Sequence, residues 1–289
     1  MVRVGVSGWS YEGWRGRFYP LELPRRRQLE YLGERFDSVE INASFYRLQR
    51  PEHYRAWRAQ TPPGFLFAVK GSRFITHNKK LRDADTALAN FFASGVLALG
   101  EKLGPLVWQL SERLRFDEAR IDAFLSMLPR DTRAAARLAE RHDWRLRGRS
   151  WTRPGRRRRI RHALEVRNES FLVPDFVRLA RRHGVAIVVS DAAQWPLIEQ
   201  VTTDFMYLRL HGRPATYASR YGPDGVRHWA DRIRCWSMGA EPADAAPIVP
   251  ARSRARRARD VYAYFDNDGN AHAPHDALDL ACRLGVAPA

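Results

Sequence analysis

Cysteine is nearly absent, with only Cys235 and Cys282 in 289 residues. Two thiols so placed cannot staple a disulfide scaffold and lack the spacing of a zinc site. A reduced, cytoplasmic compartment is therefore expected. Long apolar runs are missing too. No segment approaches the roughly 20 apolar residues that cross a bilayer, and Met1-Val2-Arg3-Val4-Gly5-Val6-Ser7 does not lead into a secretory cleavage pattern. Neither secretion nor a membrane partner is expected. Lysine is scarce: Lys70, Lys79, Lys80 and Lys102 stand against 45 arginines. No G-x-G-x-x-G, P-loop, H-E-x-x-H, CxxC or G-x-S-x-G occurs, which removes the usual sequence handles on nucleotide, zinc and serine-hydrolase chemistry.

What is present is a large core. Hydrophobic residues make up 45% of the chain and aromatics 11%, with nine Trp, a composition that excludes a disordered chain. The formal net charge is +17, but it is unevenly spread. Nine arginines and no acid lie between Arg145 and Arg161, and five arginines and no acid between Arg252 and Arg259. Removing those 14 charges from +17 leaves +3, an ordinary value for a soluble domain. The charge thus belongs to two segments, read as solvated loops. The alternative is a nucleic-acid surface, since arginine clusters neutralise phosphates and Trp144 and Trp151 could stack bases.

Eight short apolar runs rich in Val, Ile, Phe and Tyr read as strands: 2–7, 38–42, 65–70, 105–110, 161–167, 185–190, 205–211 and 261–266. Helices are predicted over roughly 25–35, 51–60, 84–99, 117–142, 174–183, 223–236 and 274–284. Pro51, Pro174 and Pro223 fall in first turns, where a missing N–H costs nothing. Gly184 and Gly285 stand where a helix end favours a left-handed residue. Such alternation predicts an α/β chain, a single TIM-type (β/α)8 barrel spanning 1–289 with long Arg-rich loops inserted at about 144–159 and 237–260. Both loops precede a strand, which places them at the N-terminal face of the barrel.

The candidate site emerges from strand parity. Residues two apart share a face, and several runs turn polar on one parity at their C-terminal ends. Glu40 and Asn42, Glu165 and Arg167, and Arg209 and His211 do so, while Lys70, Gln109 and Asp266 each close a strand and Asp191 follows the sixth. Charges inside apolar strands are costly unless paired, and the C-terminal mouth of a barrel is where they are tolerated and used. Acid–base roles are assigned to Glu40, Glu165 and His211. Ligand contacts are assigned to Ser7, Trp9, Asn42, Tyr46, Lys70, His77, Gln109, Arg167, Asp191, Arg209 and Asp266. Trp9, Trp14, Phe45 and Tyr46 read either as an aromatic wall for a ligand or as packing on the rim. Trp57, Trp108, Trp195, Trp229 and Trp236 read as core.

Taken in order, the motifs are similar to those of the YecE-like family, domain of unknown function 72. They are Gly5-Val6-Ser7-Gly8-Trp9-Ser10-Tyr11 with Trp14 and Phe18-Tyr19-Pro20, then Val39-Glu40-Ile41-Asn42 with Phe45-Tyr46. Phe67-Ala68-Val69-Lys70, Thr76-His77, Leu103-Gly104-Pro105, Gln109-Leu110 and Glu165-Val166-Arg167 follow. Tyr207-Leu208-Arg209-Leu210-His211-Gly212 and Tyr264-Phe265-Asp266-Asn267-Asp268 complete the series. The resemblance implies a TIM-type barrel and attaches no reaction to it. Where many members carry Phe-Asn-Asn, this chain has Phe265-Asp266-Asn267, an acid in place of an amide.

Three positive side chains among the polar set favour an anionic ligand gripped by ammonium and guanidinium groups. The leading expectation is thus a barrel that binds, and converts if it is an enzyme, a small anionic or polyhydroxy metabolite at the C-terminal mouth. One rival is a nucleic-acid-associated protein using 145–161 and 252–259. Another is a metal-dependent hydrolase or isomerase built on Glu165, Asp191 and His211. No metal site and no cofactor is assigned.

Overall fold

The computed structural model describes residues 1–245, 247–250 and 257–286. Arg252, Arg254 and Arg256 of the second arginine run, and positions 287–289 of the expected unit, lie outside the described residues. Every expected apolar run forms a strand. They are β1 (Val2–Val6), β2 (Ser38–Ile41), β3 (Leu66–Lys70), β4 (Leu103–Gln109), β5 (His162–Glu165), β8 (Phe205–Gly212) and β9 (Asp260–Phe265), with the sixth run split into β6 (Ala186–Ile187) and β7 (Val189–Ala192).

All ladders are parallel and fall into two sheets, ordered β1-β9-β8-β7 and β2-β3-β4-β5-β6. Of the expected closed barrel, the α/β character and parallel strands are present, but the two ladders are not closed into one ring. At one seam β1 and β2 share a single bridge, Ser7 to Glu40. The backbones approach so closely that a Cβ on Gly5 would sit 2.1 Å from the Ser38 carbonyl oxygen, a contact only glycine permits. At the other seam the chain changes partners at Val188. Its N–H bonds Leu164 O of β5 at 3.0 Å, whereas Val189 already pairs with Leu208 of β8.

Alternation divides the strand side chains into two packed sets. Val4, Val39, Ile41, Val69, Leu106, Trp108, Leu164, Leu208, Leu210 and Phe265 join the helices in one extensive apolar cluster. On the other face a smaller cluster of Ala68, Val107, Ala163, Ala186, Val188, Phe205, Tyr207, Tyr262 and Tyr264 fills the space between the sheets. Apolar residues thus occupy the N-terminal part of that interior, and polarity is pushed to the C-terminal strand ends.

The helices are α1 (Gln28–Gly33), α2 (Ala43–Tyr46), α3 (Pro51–Ala59), α4 (Asp85–Ala93), α5 (Glu118–Met127), α6 (Thr132–Ala139), α7 (Pro174–His183), α8 (Gly222–Ser237) and α9 (His272–Leu284). Proline opens α3, α7 and α8 as expected, and Gly184 and Gly285 adopt left-handed φ of 58° and 67°. The helix predicted over 84–99 stops at Ala93, and 3-10 turns over Val96–Lys102 follow Gly95. Lys102 is buried there, and its Nζ donates to Arg58 O at 2.7 Å, Thr61 O at 2.6 Å and Thr61 Oγ1 at 3.0 Å, tying the end of α3 to the start of β4.

A second correction concerns 117–142, which is two helices. Pro129 cannot continue the first, and Asp117 and Asp131 each cap a new start by accepting from Arg120 N and Ala134 N. The turn between them is fastened to β5, because His162 Nε2 donates to Pro129 O at 2.8 Å while Trp108 Nε1 donates to His162 Nδ1 at 3.1 Å. This hairpin moves the first arginine run. Arg145 lines a cavity of about 680 Å³ with Tyr46, Ser72 and Phe74, which follow β2 and β3. Arg158, Arg159 and Arg161 lie beside Leu66, Gly104 and Tyr262 at the opposite strand ends. The segment therefore runs from one end of the sheets to the other, instead of lying wholly at the N-terminal end. Several of its charges are paired, Arg157 with Asp131, Arg159 with Asp204 and Arg161 with Asp260.

Candidate functional site

Tyr207, Arg209 and His211 share the interior face of β8 and are fully buried. Arg209 has all three nitrogens committed to the protein. Its Nε donates to Glu40 Oε2 at 3.2 Å, and its Nη1 to Glu165 Oε2 at 2.8 Å and Gln109 Oε1 at 3.5 Å. Its Nη2 reaches Glu40 Oε1 at 2.9 Å, Ser7 Oγ at 3.0 Å and Asp266 Oδ2 at 2.7 Å. Side chains from five strand ends thus meet on one guanidinium. Burial alone would lower the pKa of Arg209, but Glu40, Glu165 and Asp266 outweigh it and hold the group well above its ordinary value. The same pairing works in reverse on the acids. Burial would raise Glu165, yet Arg167 and Arg209 hold it well below the usual carboxylate range. Asp266 is likewise lowered, burial being overcome by Arg209 and His211.

Glu40 is further occupied by the Ser7 hydroxyl and by Tyr207 OH at 2.6 Å. Asn42 donates Nδ2 to Ser7 Oγ at 3.0 Å. Ser7 leads into Gly8, whose φ of +85° and 2.6 Å approach of Tyr11 OH to its missing Cβ admit no larger residue. His211 lies between two acids, with Nδ1 3.1 Å from Asp266 Oδ2 and Nε2 3.4 Å from Glu165 Oε1. Neither approach is aligned as a hydrogen bond, so both buried ring nitrogens retain unspent capacity. The ring is edge-on to Trp195 and Tyr217, with centroids 5.2 and 5.4 Å away.

Two further cations lie at these strand ends. Arg167 donates Nε to Glu165 Oε1 at 3.0 Å and lays its guanidinium 3.5 Å above the Trp195 ring centre. Lys70 is 6% exposed and places Nζ 4.3 Å from the Phe45 ring centre. Burial and the neighbouring Arg209 push its ammonium down to about 8, against partial support from Asp266, Glu40 and Glu165. His77 sits in a π-helical turn over Phe74–Asn78, with Nδ1 2.9 Å from Thr76 Oγ1 and its ring edge-on to Phe45. Burial, Arg167 and Lys70 lower its pKa.

Asp191 does not join this group. Ser190 pairs in register with Arg209 and takes the interior position, so Asp191 points to the opposite face. There it accepts from Arg213 Nε at 2.5 Å, Tyr221 OH at 2.8 Å and Trp229 Nε1 at 3.1 Å. The trio Glu165, Asp191 and His211 is therefore not assembled, and no group of three or more His, Cys, Asp or Glu able to hold a metal occurs among the described residues. The aromatic candidates divide. Trp14 and Phe45 are buried, Trp9 packs edge-on to Trp57 at 5.4 Å, and Tyr46 is exposed on the rim.

Parity reasoning missed four neighbours. Tyr207 shares the parity of Arg209 and was legible on that ground. Trp195, read as core, is buried and also serves as the platform for Arg167. Tyr217 has a left-handed φ of 68° and is tied to the strand ends through its N–H on His211 O at 2.6 Å. A non-glycine residue held so is strained in the way functional loops often are, and no local pattern announces it. Asp268 lies two residues past Asp266. Its Oδ1 is buried without a hydrogen-bond partner, and burial together with the Asp266 charge raises its carboxyl to about 8.

Comparison with known proteins agrees with the motifs. Residues 3–289 match the family model described as protein of unknown function DUF72. The chain is similar to UPF0759 protein YunF of Bacillus subtilis, 30% identical over 80 residues, covering 28% of this chain and 27% of that protein. It is also similar to UPF0759 protein YecE of Escherichia coli K12, 32% identical over 91 residues, covering 32% and 31%. The matched stretches thus span about a third or less of those curated relatives. A DUF72 family protein from Thermotoga maritima superposes with a TM-score of 0.74 at 24% identity, over 99% of both chains. One from Enterococcus faecalis gives 0.70 at 16% identity, over 99% of this chain and 96% of that one; these two likenesses show a shared fold. Matched by the family model over nearly its whole length, the chain belongs to the DUF72 family.

Proposed function

We propose that the chain binds a small anionic or polyhydroxy metabolite at the C-terminal ends of its strands and performs acid–base chemistry on it. In this reading the two sheets form the wall of one (β/α)8-type barrel, supported by their uniformly parallel strands and by the single Ser7–Glu40 bridge at one seam. The observation that carries the functional reading is the unequal use of the buried cations. Arg209 spends every nitrogen on the protein, so it organises the carboxylates and does not grip the ligand. Lys70 Nζ makes no hydrogen bond or ion pair among the described residues and rests on the Phe45 ring, and Arg167 is held along one edge while its face stacks on Trp195. A largely buried cation whose contact is an aromatic face is held less strongly than one paired with an anion, and an anionic ligand would supply the stronger partner.

Glu40, saturated by Arg209, Ser7 and Tyr207, is a positioning residue. His211, set between Glu165 and Asp266, has the free ring nitrogens needed to move a proton. The protonated Asp268 carboxyl is a second proton source. A thermal-shift screen of 2-hydroxy acids, sugar phosphates and free sugars tests the reading. The expected result is a stabilising compound whose effect is lost in Arg167→Ala. An empty screen, with Arg167→Ala and Glu165→Gln altering only the melting temperature, would make the polar cluster a structural plug.

A further inference from the structure

Arginine supplies 45 of the chain's 49 Lys and Arg residues, and lysine only four. Lys70 and Lys102 are both buried, and they are used in opposite ways. Lys102 spends three donors on two carbonyls and a hydroxyl, the work of a compact ammonium used as a structural tie. Lys70 spends none. Its Nζ lies over the Phe45 face, at the C-terminal end of β3 and within electrostatic reach of Arg209, Asp266, Glu40 and Glu165. No carboxylate comes within ion-pairing distance of it among the described residues, and burial and Arg209 outweigh the support of the more distant acids and draw it toward the free amine. With a midpoint near 8, roughly one amine in ten is deprotonated at pH 7, against fewer than about one in a thousand for an ordinary lysine.

We infer that Lys70 is a nucleophile that forms an imine with an aldehyde or ketone group of the substrate. The inference deepens the metabolite-binding reading and rests on it: the anionic or polyhydroxy ligand carries a carbonyl, as 2-oxo acids, aldoses and ketoses do. The step balances without an oxidant or reductant. The Lys70 ammonium passes one proton to the His211–Asp266 pair, and the amine attacks the carbonyl carbon. A C–N bond forms while the C=O π pair moves to oxygen, and a proton shifts from nitrogen to that oxygen, giving a carbinolamine. The pair returns its proton to the hydroxyl, the C–O bond breaks with release of water, and the nitrogen lone pair closes the C=N bond. The product is a protonated iminium, which withdraws electrons from the adjacent carbon as covalent catalysis by lysine requires. Arg167 is placed to hold the carboxylate or phosphate of the same molecule.

The test uses glyoxylate, a small anionic aldehyde, with cyanoborohydride to reduce any imine, and peptide mapping by mass spectrometry on the whole chain. The expected result is modification of Lys70 about tenfold or more faster at pH 7 than of Lys79 and Lys80, with a rate that rises through a midpoint near 8. Lys102→Arg should leave that modification unchanged, and Lys70→Arg, which keeps the positive charge, should abolish it. Modification of Lys70 no faster than of Lys79 and Lys80, or without the midpoint near 8, overturns the inference. Thermal shift of unmodified protein by glyoxylate, 2-hydroxy acids or sugar phosphates separates the two readings. A shift without selective labelling removes the imine and keeps the metabolite site, while the absence of both removes the two together.

Discussion

Arg209→Met removes the guanidinium shared by Glu40, Glu165 and Asp266 while keeping the side-chain length and the surrounding apolar contacts. All three carboxylates are 9% exposed or less at the side chain. Removing one partner of a buried ion pair costs about 3–5 kcal/mol because a charge is left uncompensated. Here three acids lose a partner, although Arg167 still contacts Glu165 at 2.9 Å and protonation offers an escape. A net loss of about 4 kcal/mol at pH 7.5 is expected, a large share of a typical folding free energy. The sign of its pH dependence follows from linkage. In the parent, Glu165 and Asp266 are held below their unfolded values, so their stabilisation is fully present above the unfolded pKa. In the variant the acids rise above it, the folded chain binds the extra proton, and stability recovers as pH falls toward 5. Urea unfolding followed by Trp fluorescence at pH 7.5 and pH 5 reads both effects. Adding Glu40→Gln should restore part of the loss at pH 7.5. A penalty under about 1 kcal/mol, or one equal at the two pH values, would refute the claim that Arg209 neutralises a buried acid cluster.

Other consequences are more local. Asp268 is protonated up to about pH 8 when folded and releases its proton near 4 when unfolded, so stability falls as pH rises through that window. Asp268→Asn, which mimics the neutral acid, should flatten that limb and exceed the parent in stability at pH 9, read by thermal melts across pH. His162 behaves differently: burial pushes it down to about 4, so the unfolded chain takes up a proton first and stability is lost as pH drops below 6.5. That loss amounts to about 3 kcal/mol by pH 4, and His162→Gln should show a shallower acid limb in urea titrations. Gly5→Ala drives a methyl into the Ser38 carbonyl and should cost about 3 kcal/mol, measured by the same unfolding assay; a neutral outcome would place the β1–β2 seam elsewhere.

Much of this architecture could be read from local pattern. Short runs rich in Val, Ile, Phe and Tyr located the strands, and period-two alternation put Glu40, Lys70, Gln109, Glu165, Arg209 and His211 on one interior, because the pleat enforces it. What escaped depends on partners distant in sequence. Arg209 read as an anion grip until three acids from other strands proved to consume it. Asp191 sits at a strand end like the others, yet it has the parity of Val185, Ile187 and Val189 on the helix-facing side, and the interior position goes to Ser190 with Ala186 and Val188. The helix over 117–142 has continuous apolar spacing, and Pro129 alone divides it, which carried the Arg145 end of the basic run to the far side of the sheets. Trp195 and Tyr217 reach the cluster from loops whose course is decided by tertiary packing, so no spacing in the chain announces them.

The C-terminal strand ends are either a ligand site, as proposed, or a self-neutralised plug. Crystals grown with the most stabilising acid from the thermal-shift screen, or with a mixture of 2-hydroxy acids and sugar phosphates, decide between the two most directly. The predicted result is density for one molecule with its negative group on Arg167 and its remaining oxygens toward Lys70 and His211. Anions found only along the arginines of 145–161, with the strand ends filled by Trp195 and Tyr217 packed onto His211, would contradict it.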